Sequence, residues 1–150
     1  MTRALRPMLA LTLFMCGALW TGAAHAEERY GMEIRVISAQ PGTATIDPAL
    51  KSYQRDLQAM PYKSFKLLDA HSKTLRKGET VSMQFPGESN RFMKVKANGQ
   101  KDGKLSFSIA IDELRFRTSV RIPDNGTLIV GGPKYENGVI LLAVTARTAP

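Results

Sequence analysis

Residues 104–111 read KLSFSIAI. Leu105, Phe107, Ile109 and Ile111 alternate with Lys104, Ser106, Ser108 and Ala110, the period of two that gives a strand one apolar and one solvated face. Upstream, Val81, Met83 and Phe85 alternate with Ser82 and Gln84 until Pro86-Gly87 turns the chain. A strand over 91–97 follows, and Asn98-Gly99 with Asp102-Gly103 supply the next turn. Further back, Met32, Ile34 and Val36 alternate with Glu33 and Arg35 in a strand over 30–38, and Phe65, Leu67 and Leu68 mark another over 64–70. Downstream, strands are predicted over 116–122, 127–130 and 138–147. Asp124-Asn125-Gly126 and Glu136-Asn137-Gly138 read as hairpin turns, since Asn and Gly tolerate positive φ. About eight short strands separated by turn clusters predict a mainly β protein, an antiparallel β-sandwich or open barrel.

One helix interrupts this pattern. Asp47-Pro48 supplies a capping carboxylate and a proline suited to the first helical position. Leu50, Tyr53 and Leu57 share a face, and Pro61 ends the helix.

The first 26 residues read as a secretory signal peptide. Arg3 and Arg6 precede an apolar run from Met8 to Trp20, and Ala24-His25-Ala26 forms a small-x-small cleavage site. Retention of the leader, or lipidation at Cys16, are the alternatives. Cleavage of 26 of the 150 residues leaves 124, one domain spanning 27–150. The only cysteine leaves with the leader, so packing and sheet hydrogen bonds must hold the fold. Nineteen basic and thirteen acidic side chains remain, a formal charge of +6, with His71 the sole histidine. No second apolar run is long enough for a transmembrane helix. A periplasmic or extracellular protein, or one associated with an outer membrane, is expected.

Catalytic patterns are sparse. A nucleophilic triad needs a base, and His71 is the one candidate; it is expected at an exposed turn after a strand. Zinc needs several His or Cys ligands and calcium needs clustered oxygens. Neither pattern is present, so no metal or cofactor is expected. Asp112 and Glu113 are adjacent in sequence and point apart in a strand. Gly131-Gly132-Pro133-Lys134 lacks the following helix and Ser/Thr of a phosphate loop, and reads as a bulge or strand exit. No catalytic residue is assigned; a hydrolase using His71 with distant acids is the alternative.

The basic residues carry the functional expectation. Arg115, Arg117 and Arg121 share one parity, so a regular strand lines them along one solvent face; Lys94 and Lys96 repeat the pattern beside Phe92. Such a face suits an anionic envelope polymer, a lipid phosphate or an acidic envelope protein, and otherwise serves as a solvated surface that discourages edge association. Lysines 63, 66, 73 and 77 and Arg76 add charge elsewhere. A nucleic acid partner is not expected, because no aromatic-rich basic strand of the RNA-binding kind is present. The last two strands are candidates for structure or for strand addition to a partner.

Residues 120–132, VRIPDNGTLIVGG, resemble the C-terminal hairpin segment of the secretin family, with its strand, Pro-Asp-x-Gly-Thr, apolar strand and Gly-Gly. That family builds ring-shaped outer-membrane channels. The resemblance implies an envelope protein sharing this segment, as an accessory subunit of a secretin-like assembly. Secretins are much longer, and Pro133-Lys134-Tyr135 stands where the family continues with apolar residues. The resemblance therefore implies no channel and carries over no functional residue.

Overall fold

The computed structural model describes residues 27–87 and 91–149. The expected leader, with Cys16, lies outside them. Nine strands are described: β1 (Arg29–Gln40), β2 (Thr45–Ile46), β3 (Ser64–Arg76), β4 (Thr80–Phe85), β5 (Arg91–Lys101), β6 (Lys104–Ile111), β7 (Phe116–Pro123), β8 (Gly126–Tyr135) and β9 (Gly138–Ala149). They form two sheets, one ordered β2-β3-β1-β9-β8 and the other β4-β5-β6-β7. The sheets pack face to face as a sandwich, and every pairing is antiparallel except β2 with β3.

The alternation read from the sequence builds the core between the sheets. Tyr30, Met32, Ile34 and Val36 of β1 meet Leu105, Phe107, Ile109 and Ile111 of β6, and Tyr30 packs edge-on against Phe107 with ring centroids 6.4 Å apart. A second core lies on the outer face of the five-stranded sheet. There Ile37, Ala39, Phe65, Leu141 and Ala143 are covered by Leu50 and Leu57. β9 is therefore buried on both faces over Ile140–Val144. Beyond the helix's reach the outer positions turn polar, at Glu33, Arg35, Thr145 and Arg147.

The covering segment begins where expected but winds more tightly. Pro48–Tyr53 is a 3-10 turn that passes into α1, Gln54–Gln58. Asp47 caps it, accepting from the Ala49 N–H at 3.0 Å, and its other oxygen accepts from Leu67 N–H at 3.2 Å. One carboxylate thus fixes both the start of the turn and its seat on β3.

Several expectations are corrected. Asn98-Gly99 does not end a strand: β5 runs through it as a bulge with Gly99 at φ +123°, and the turn is made by Asp102-Gly103 alone. Asp124-Asn125 joins strands of different sheets, so it is a corner and not a hairpin. Gly131-Gly132 does fall at a register shift in β8. Near both ends of the described residues the chain is paired, with Arg29 opposite both Arg76 and Ala149. Thr148 adds two bonds to the Asp124 carboxylate, from its N–H at 2.8 Å and its hydroxyl at 3.1 Å. Among the described residues no helix is long and apolar enough to cross a membrane.

Candidate functional site

The four-stranded sheet has one face in the core and one in solvent. On the solvent face β6 contributes small side chains, Ser106, Ser108 and Ala110, and the basic residues stand on the strands to either side. Ala110 lies between Lys94 of β5 and Arg117 of β7. Ser108 lies between Lys96 and Ser119, and Ser106 lies opposite Arg121. Two basic stretches separated by some twenty residues of sequence thus form the walls of one shallow trough. An open depression of about 420 Å³ lies over Ser108, Ala110, Arg117 and Ser119. Phe92 belongs to the same face and is 46% exposed.

Four of the five expected residues, Lys94, Lys96, Arg117 and Arg121, share this face. Arg115 does not belong to the ladder. It follows a 3-10 turn over Asp112–Leu114 in the left-handed conformation (φ 51°), its N–H bonded to the Asp112 carbonyl at 3.0 Å. The shared parity assumed that the strand predicted from Phe116 ran regularly back through Arg115, and the tight turn takes Arg115 out of the ladder.

Charge is uneven along the trough. At one end Asp112 sits 3.0 Å from the Lys94 ammonium and 3.5 Å from the Arg117 guanidinium. The hydrogen bond and charge of Lys94, reinforced by Arg117, hold the Asp112 carboxyl below its usual value. At the other end Lys96, Lys101, Lys104 and Arg121 form no ion pair among the described residues. The outer face therefore has a partly neutralised end and a more strongly electropositive end.

Sequence order concealed one contributor. Lys77 lies in the turn between β3 and β4, and that turn is bonded onto β5: Gly78 N–H to the Ala97 carbonyl at 2.7 Å, and Ala97 N–H to the Glu79 carbonyl at 3.1 Å. Lys77 is thereby carried to the electropositive end, where it joins Lys101, Lys104 and Arg121 around a cavity of about 180 Å³. Lys101 and Lys104 reach the same end from the two sides of the Asp102-Gly103 turn.

His71 is not on an exposed turn. β3 continues past Ala70 to Arg76, and His71 sits within it, opposite Ile34. Its Nε2 is 3.0 Å from the Gln84 carbonyl oxygen and 3.1 Å from Asp69 Oδ2. Among the described residues no three His, Cys, Asp or Glu side chains cluster as a metal site would require. Of the last two strands β9 is internal, and only β8 presents an edge, with Leu128 36% exposed.

No protein-family profile matches the chain, and comparison with the curated proteins and with the solved structures yields no match.

Proposed function

We propose that this is an exported, non-enzymatic binding or assembly protein of the cell envelope, which meets an anionic envelope component through the outer face of the four-stranded sheet. One observation carries the reading: Lys94, Lys96, Arg117 and Arg121, from two strands distant in sequence, stand on a single face around the small residues of β6. A trough floored by short side chains lets an extended or flat anionic surface approach the backbone closely. Cationic walls then concentrate it by long-range attraction that salt screens. The exposed Phe92 ring on that face adds an apolar contact suited to a lipid boundary. Arg115, exposed beside β7, belongs to the same charged surroundings.

Sedimentation with envelope fragments and with anionic vesicles tests this. Triple charge reversal at Arg115, Arg117 and Arg121 is expected to abolish association at low salt and to flatten its salt dependence. Unchanged association would overturn the reading.

A further inference from the structure

We propose that the bulge end of this face is a discrete site for a phosphomonoester group, held by Lys77, Lys101, Lys104 and Arg121. The inference rests on the reading of the face as an anion surface and adds a ligand chemistry to it. Its basis is a juxtaposition made by backbone hydrogen bonds. The Lys77 N–H donates to the Glu28 carbonyl at 3.1 Å, and the adjoining bonds to Ala97 tie its turn to β5. The Lys77 stem consequently lies over the bulge: a Cβ built on Gly99 would sit 3.0 Å from Lys77 Cε. Lys101 and Lys104 close the second side from the two ends of the Asp102-Gly103 turn. Arg121 closes the third from β7, opposite Ser106. Gln100 and Ser106 supply neutral hydrogen-bonding groups to the same cavity.

The opposite end of the trough shows the contrast. There a single carboxylate, Asp112, already engages Lys94 and Arg117. At the bulge end four cations surround one cavity, and among the described residues none is paired with a carboxylate. One monoanionic carboxylate or phosphodiester leaves most of that charge uncompensated. A phosphomonoester carries up to two negative charges on three terminal oxygens, so it can accept from several ammonium groups and from a guanidinium fork together. The phosphate can belong to a lipid headgroup or to a soluble phosphate ester.

The test compares the purified protein on phosphatidylcholine vesicles carrying phosphatidic acid, a phosphomonoester, with vesicles carrying phosphatidylglycerol, a phosphodiester, at equal surface charge. Binding to the phosphatidic acid vesicles is expected to be about tenfold tighter, the worth of one added charge-assisted contact. That preference should fall to parity in the double variant Lys77→Ala, Lys101→Ala, whose exposed side chains contribute little to folding. Saturable binding of glycerol 3-phosphate without vesicle binding would retain the site and assign it a soluble ligand. Equal binding to both vesicles, with no glycerol 3-phosphate binding, would overturn the site and leave the anion-binding face standing. Binding to neither vesicle, to glycerol 3-phosphate or to envelope fragments would overturn both.

Discussion

His71 links the two sheets: its Nε2–H on β3 donates to the Gln84 backbone carbonyl of β4 over 3.0 Å. β4 is an edge strand, so a carbonyl on its outer side has no ladder partner and the imidazole supplies one. Asp69 Oδ2, 3.1 Å from the same nitrogen, orients the ring.

His71→Ala is therefore expected to lower stability by about 1 kcal/mol, the net worth of one such bond, while leaving vesicle binding intact. Urea unfolding measures the first and sedimentation the second. A variant that loses an envelope hydrolytic activity at unchanged stability would instead favour a catalytic histidine.

Tyr30 sets the alkaline limit. Its ring is buried and its hydroxyl donates to Glu28 Oε2 at 2.6 Å. Burial first, then the Glu28 bond and charge, push the phenol up from 10.0 to about 12. A raised folded value means that the stabilisation is complete below pH 10 and is lost as pH rises toward about 12. The loss is of order 2 kcal/mol. Tyr30→Phe should flatten this part of the stability profile relative to wild type; equal slopes for the two proteins would refute the assignment.

Asp112 restrains the cationic face, since its carboxylate occupies Lys94 and Arg117. Asp112→Asn releases both cations and should strengthen vesicle binding about threefold to tenfold at low salt, with the gain screened away as salt rises. The lowered carboxyl keeps Asp112 ionised down to below its ordinary value of 3.8, so wild type should gain this binding only in more acidic solution. Identical affinities for wild type and variant at neutral pH would show that the Asp112 end takes no part in binding.

The alternation of KLSFSIAI and the Asp47-Pro48 cap were legible because their causes are local: side-chain parity and one carboxylate reaching two residues ahead. The partition into two sheets was not legible, since a turn sequence such as Asp124-Asn125-Gly126 serves equally for a hairpin and for a corner. The second core was hidden for a related reason. The outer face of β9 is apolar at Leu141 and Ala143 only because Leu50 and Leu57, some ninety residues earlier, cover it. At the candidate site, the parity of Lys94, Lys96, Arg117 and Arg121 could be read within each strand, whereas their common face depended on β6 lying between them. Lys77 reaches the site through hydrogen bonds between a turn and a distant strand, for which sequence carries no signal.

The glycines of residues 121–146 divide sharply by role. The tip of the β8–β9 hairpin docks on the end of β1, where Gln40 Nε2 donates to the Tyr135 carbonyl at 2.9 Å and Gln40 Oε1 accepts from Asn137 N–H at 3.1 Å. That docking brings the Ala39 carbonyl oxygen onto Gly138, where any Cβ would overlap it. The obstacle is backbone, which cannot rotate aside, so Gly138→Ala is expected to cost about 3 kcal/mol and to lower Tm by several degrees. Gly131, two strand positions from Ile129, has open space around it and no positive φ. Gly131→Ala should be neutral or stabilising by up to about 1 kcal/mol, because alanine narrows the unfolded ensemble without strain. Calorimetry on the two variants separates these cases. A large loss at Gly131 with none at Gly138 would mean that the hairpin does not dock on β1 in this register.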